Sequence, residues 1–225
     1  MKCTLRSAGL AFALAWPLAL GAPAFAQTPK SPAGTAKAKA ADTSLLKGKA
    51  LLDELKKGGY VVYFRHFETG ADFADQVTAD IANCWSQRQV NSNGFRDARR
   101  IGKFFYDQKI PVSRVIASPF CRTWQSADLA FGRHERVDAL KILPFKDYTP
   151  EQNIVMKAGV MPFIAVPPAA GTNVVVMAHD DNLTAAGGPL LDIQGEAAIL
   201  KPDGKDGFTV VARLKPDQWT LLPVK

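Results

Sequence analysis

The sequence predicts an α/β fold, a three-layer α/β/α sandwich with a mainly parallel sheet. Two observations carry this reading. Short apolar strands alternate with amphipathic helices from residue 45 onward. The strands are also apolar on both faces, as expected of a parallel sheet covered by helices on each side.

The N-terminus comes first, because it decides which part of the chain folds. Met1 to Arg6 carries two positive charges and no acid, Ala8 to Leu20 is mostly apolar, and Ala24-Phe25-Ala26 follows. A charged n-region, an h-region too short to span a bilayer comfortably and an A-x-A site describe a secretory signal peptide over residues 1–26. Cleavage after Ala26 would release a periplasmic or secreted protein starting at Gln27. No other stretch is apolar enough to suggest an integral membrane protein. Residues 27–44 are rich in Ala, Lys, Pro and Thr with no large apolar side chain, and read as a disordered basic leader. Of the formal charge of +7, +6 falls in residues 1–49, since residues 50–225 hold 21 basic against 20 acidic side chains. A nucleic-acid partner therefore loses its main support. Residues 45–225 suffice for one domain with a sizeable core.

Leu45 to Lys57 has helical spacing (Leu45, Leu51, Leu52, Leu55) and stops at Gly58-Gly59. Tyr60 to Phe64 is a β-branched and aromatic run, a buried strand. Asn91 to Tyr106 reads as a helix, capped by Asn91, Ser92 or Asn93, with Phe95, Ala98, Ile101 and Phe105 turned inward. Arg114 to Ala117 is a strand, and Arg122 to Phe131 a helix ended by Gly132. Thr149-Pro150-Glu151 opens another helix, and Asn173 to Ala178 is a strongly apolar strand. Ala197 to Leu200 and Phe208 to Leu214 form a closing antiparallel pair around the Asp203-Gly204 turn.

In such a fold ligands bind beyond the carboxyl ends of the parallel strands. Three predicted strands run into polar residues there: Arg65-His66-Phe67-Glu68-Thr69, Ser118-Pro119-Phe120-Cys121-Arg122-Thr123, and His179-Asp180-Asp181-Asn182. An arginine in a helix's first turn has no dipole reason to be there, so Arg122 calls for an anion. A phosphate monoester would supply one, and guanidinium groups suit its oxygens. A neutral imidazole could take its phosphoryl group, and a second could donate to the oxygens as charge builds. That chemistry asks for no metal and no other cofactor. His134, beside Arg133 and Glu135, reads as a surface residue, and Asp181 and Glu68 as solvated acids.

Arg65-His66-x-x-Thr69 resembles the defining motif of the histidine phosphatase, or phosphoglycerate-mutase-like, superfamily. Ser118-Pro119-x-x-Arg122-Thr123 with Gln125-Ser126-Ala127, the later His179, and the helix entry Arg88-x-x-Asn91-x-x-Gly94 also resemble that family, over roughly residues 58–200. The resemblance implies a phosphoglycerate-mutase-like fold and a metal-independent phosphomonoester hydrolase, with His66 as nucleophile and Arg65, Arg122 and His179 holding the phosphate. Thr69, Phe67 and Asn182 would line the substrate site. Phe67 departs from the family, which has Gly there, and its ring is expected to narrow the phosphate pocket or wall it. The family's proton donor is a glutamate between the second Arg and the last His in one branch, and the Asp after that His in another. His179-Asp180-x-Asn182 resembles the second arrangement, so Asp180 is the expected acid, with Asp147 and Glu151 as alternatives.

The short domain and signal peptide look most like small periplasmic members, including lipopolysaccharide core heptose-phosphate phosphatases. The implied substrate is a phosphorylated small molecule or a cell-envelope glycan or lipid phosphate, and no partner protein is implied. The rival reading is a catalytically silent phosphate- or sugar-phosphate-binding protein on the same fold. Cys3 leaves with the signal peptide, so Cys84 and Cys121 are expected to form a disulfide in an oxidising compartment.

Overall fold

Val61, Val62, Tyr63 and Phe64 are all inaccessible to solvent, as the doubly apolar run requires. The computed structural model describes residues 45–70, 80–143 and 148–223. The expected signal peptide (1–26), the leader (27–44) and Asp147 lie outside the described residues. The strands are β1 (Val61–Arg65), β2 (Val112–Ala117), β3 (Glu135–Arg136), β4 (Asn173–Ala178), β5 (Ala197–Pro202) and β6 (Phe208–Leu214). They form one sheet in the order β3-β2-β4-β1-β5-β6. β1, β2, β3 and β4 pair in parallel, whereas β5 is antiparallel to both β1 and β6.

Successive side chains of a strand leave on opposite faces, and the sheet therefore feeds two cores. Val62, Phe64, Val115, Val175, Met177 and Ile199 pack with α1 (Gly48–Lys57), α2 (Ser92–Asp107) and α3 (Cys121–Phe131). Val61, Tyr63, Ile116, Val174, Val176 and Leu200 pack with α4 (Pro150–Ile164) and α5 (Asp180–Ala185). That is the three-layer sandwich expected. The doubly apolar pattern breaks at β3, exposed throughout, at β6, which is mixed, and in the first half of β2, where Arg114 is exposed. No helix among the described residues is long and apolar enough to cross a membrane.

Two local expectations are corrected. The first helix starts at Gly48 rather than Leu45, because the backbone N–H of Leu46 donates to Val211 O of β6 at 2.8 Å and holds that stretch extended. Phe95 is 46 % exposed, and Phe104 turns inward instead. The cause is Gly94, where a Cβ would stand 2.2 Å from Glu68 O. That close approach fixes the rotation of α2, so Gly94, Ala98, Ile101 and Phe105 face in and Phe95 lies about 100° round the helix from Gly94. Asn91 is the cap, its side chain accepting from Gly94 N at 2.9 Å.

β2, β4 and β1 are neighbours, so their carboxyl ends meet. His66 N donates to Ala178 O at 2.9 Å, and Ser118 N to Met177 O at 3.1 Å. The three polar segments named in the sequence are thereby stitched into one place.

Candidate active site

His66 follows β1 directly and is 2 % exposed. Gly195 N donates to its carbonyl at 2.8 Å, and Phe67 N donates to Ser126 Oγ at 3.1 Å, so the segment is clamped from two sides. Its Nδ1 lies 2.9 Å from Phe67 O, a contact that places the proton on Nδ1 and leaves Nε2 with its lone pair. Burial first, then the positive charge of Arg122, hold this imidazole well below its ordinary value, against the opposing pull of the Phe67 carbonyl. Arg65 and Arg88 add to the effect. His66 is a neutral base with one nitrogen fixed.

His179 caps α5 and is 1 % exposed. The Tyr63 hydroxyl donates to its carbonyl at 2.6 Å, its Nε2 lies 3.0 Å from Ser118 Oγ, and its Nδ1 lies 3.5 Å from Arg122 Nη2. The two rings stand edge to face with centroids 5.7 Å apart. Burial, then Arg122, then His66, push His179 well below its ordinary value too.

Arg122 is the second residue of α3 and 1 % exposed, with its guanidinium 4.6 Å over the Phe120 ring. The turn that delivers it is held by Thr123 Oγ1, which lies 2.7 Å from Ser118 O and 2.6 Å from Phe120 O. Ser126 Oγ donates to Arg122 O at 2.6 Å while accepting from Phe67 N, and so couples α3 to the histidine segment. Arg65 is more heavily engaged. Its Nη1 donates to Leu191 O at 2.8 Å and Asp192 O at 2.9 Å, and its Nε stands 3.2 Å from Asp180 Oδ1.

The remaining expected residues divide. Asn182 is fully buried on α5, and neither atom of its amide has a hydrogen-bond partner among the described residues. Thr69 is buried, but its backbone N and hydroxyl both donate to Gln194 Oε1, at 2.9 and 3.1 Å. Phe67 does not wall the cleft. Its ring is fully buried in the core, 6.0 Å from Phe64 between centroids. Room for it comes from Gly195, where a Cβ would lie 2.8 Å from Phe67 Cδ1. Glu68 is not merely solvated: it accepts from Asn91 Nδ2 at 2.7 Å and Asn93 Nδ2 at 3.0 Å, anchoring α2. His134 is a structural residue, 2.6 Å from Asp128 and stacked on Trp124.

Among the acids, Glu151 is exposed in the first turn of α4, where backbone hydrogen bonding holds its carboxyl below the usual range. Asp181 is half-buried rather than solvated, and burial together with the adjacent Asp180 charge raises its carboxyl. Tyr148 stands near this pair; after burial, the charges of Asp181 and Asp180 raise its phenol, and Arg122 opposes them.

Cys84 and Cys121 form a disulfide, with Cα atoms 5.6 Å apart. It fastens the loop before α2 onto the first residue of α3. Gln87, fully buried in that loop, accepts from Cys121 N at 2.8 Å. Sequence reasoning gave no role to Tyr63, Gln87, Gln194 or the hydroxyls of Ser118 and Ser126. The two serines lay within the motif already noted, but no local signal marks the others.

Among solved structures, the chain is similar to the protein histidine phosphatase SixA complexed with tungstate. The TM-score is 0.51 at 16 % identity, over 70 % of this chain and 97 % of that one. It also aligns with the putative phosphohistidine phosphatase SixA from Agrobacterium tumefaciens, with a TM-score of 0.43 at 18 % identity over 70 % and 99 % of the two chains. No protein-family model and no curated protein matches the sequence. What the first likeness shows is a shared fold.

Proposed function

We propose that the protein is a phosphatase that hydrolyses a phosphate monoester through a phosphohistidine on His66. The observation that carries this reading is a buried, neutral His66 with its proton held on Nδ1, set among arginines and a second neutral imidazole. A lone pair at His66 Nε2 attacks phosphorus as the ester P–O bond breaks, and water then cleaves the P–N bond to release inorganic phosphate. Arg122, the remaining donors of Arg65 and the His179 ring stabilise the phosphoryl oxygens. Asn182, with an unsatisfied buried amide on the same helix as the acids, would complete the lining.

The leaving alkoxide needs a proton, and the Asp180–Asp181 pair at the start of α5 supplies it. Asp180, the expected acid, is ion-paired with Arg65 and so orients that guanidinium. Asp181 has the raised carboxyl, and of the pair it is the one whose protonated form burial favours. The reaction takes place in the periplasm or outside the cell, a reading supported by the features of residues 1–26 and by the Cys84–Cys121 disulfide. Substrates are phosphorylated small molecules or cell-envelope glycan or lipid phosphates.

The test is a rapid-mixing assay with p-nitrophenyl phosphate and a 32P-labelled ester. A burst of product, acid-labile label on His66, and loss of both in His66→Ala with an unchanged circular dichroism spectrum are expected. Binding of the ester without turnover or label would make the protein a silent phosphate binder instead.

A further inference from the structure

Arg88 is an arginine with no role in the reaction as described so far, and its neighbours on both sides are fixed to the catalytic segments. On one side, Gln87 is fully buried and accepts from Cys121 N at 2.8 Å, and Cys84 is bonded to Cys121 itself, the residue before Arg122. On the other side, Gln89 O accepts from Gly70 N at 3.0 Å, and Val90 forms an antiparallel bridge with Thr69, three residues after His66. The Gln125 amide on α3 donates to Gln89 Oε1 at 3.3 Å. Residue 88 therefore spans from the helix that carries Arg122 to the segment that carries His66.

We propose that Arg88 is a third phosphoryl-binding arginine, delivered to the rim of the cleft by the disulfide-anchored loop Cys84–Val90. This rests on the reading of that cleft as a phosphate site. Two further observations support it. The positive charge of Arg88 acts on both buried imidazoles, His66 and His179, so its guanidinium stands close enough to be felt by both. The expected partner of Arg122 is also partly spent: Arg65 commits Nη1 to two backbone carbonyls, and its charge is offset by the Asp180 carboxylate. A phosphoryl dianion with three equatorial oxygens has more acceptor capacity than Arg122 and the remaining donors of Arg65 can fill. A third guanidinium fits the second negative charge, and so selects dianionic monoesters over diesters, which carry one charge.

Calorimetric titration of the mature chain with inorganic phosphate tests this without relying on turnover. Arg88→Ala should weaken phosphate binding roughly 10- to 100-fold, the cost of one charge-assisted contact, with Arg88→Lys recovering part of it and Arg122→Ala losing at least as much. If Arg88→Ala lowers the melting temperature, Arg88→Lys and Arg88→Gln decide. Lysine binding phosphate more tightly than glutamine supports the assignment, and equal affinities overturn it. Affinity of a folded Arg88→Ala within twofold of wild type, beside a clear loss in Arg122→Ala, overturns the role of Arg88 alone. Absence of phosphate binding in the wild-type chain overturns the site reading and this inference with it.

Discussion

Removing the Cys84–Cys121 disulfide, by Cys84→Ser together with Cys121→Ala, should lower both stability and the affinity for phosphate. The two cysteines are 37 residues apart in sequence. Closing a loop of that length removes denatured-state entropy equivalent to about 4 kcal/mol at 25 °C in the chain-entropy account. For a domain of this size that corresponds to a fall of roughly 8–15 °C in melting temperature. Alanine suits position 121 because that side chain is buried, and a serine hydroxyl there would add a desolvation cost unrelated to the cross-link. The assay is urea unfolding of the double variant and of wild type with and without reductant. Reduced wild type and variant should coincide, both below the oxidised protein by the stated amount. The functional consequence follows from what the loop carries. Gln87 holds Cys121 N, so freeing the loop loosens the first turn of α3 and releases the chain around residue 88 from it. A loss under about 1 kcal/mol would refute the loop-closure reasoning, and an unchanged phosphate affinity would show that the loop does not position the site.

The acid is tested by leaving-group dependence. Asp181→Asn should slow alkyl phosphate hydrolysis by about 10²- to 10⁴-fold and leave p-nitrophenyl phosphate nearly untouched, whereas Asp180→Asn should slow both through Arg65; the reverse pattern would return the acid to Asp180. Stability should fall as the pH drops below the ordinary histidine value. His66 and His179 both have depressed values in the fold, so the unfolded chain takes up protons first. Their contribution is complete above pH ~6.5 and is lost on acidification at up to about 1.4 kcal/mol per pH unit for each. Urea midpoints from pH 7 to 5 in wild type and His179→Gln check this, and an unaltered slope in the variant would contradict it.

The sandwich was legible because β1 and β4 are apolar on both faces and helices of clear periodicity lie between the strands. The candidate site was legible for a related reason. Polar residues immediately after such strands have only one edge of the sheet to occupy, so Arg65, His66, Arg122 and His179 converge by topology. Side-chain direction was not legible. Phe67 follows His66, and its neighbours in sequence say nothing of Gly195, whose missing Cβ lets the ring turn into the core. Phe95 had the spacing of a core residue, yet the contact of Gly94 with Glu68 rotated it outward. Asp180 and Asp181 are adjacent and chemically identical. The position of Arg65, set by the carbonyls of residues 191 and 192 far along the chain, and the burial of Asp181 give them different surroundings.

On the proposed mechanism, the same arginines would let one imidazole act as a nucleophile and the other as a donor. Before substrate binds, the cations and burial hold both rings neutral, which is the state His66 needs for attack. A phosphoryl dianion entering between them reverses the local field. It offsets the charge of Arg122 and its neighbours, and an anion beside an imidazole favours the protonated form. His66 has its proton fixed on Nδ1 by Phe67 O and keeps Nε2 for phosphorus. His179 has no carboxylate against its ring among the described residues; Ser118 Oγ is a hydroxyl that can donate or accept, and Arg122 Nη2 is the group beside Nδ1. Substrate charge can therefore protonate His179 at the moment its donor function is required. On this account the arginines around two neutral histidines would be the device by which a bound phosphate completes its own site.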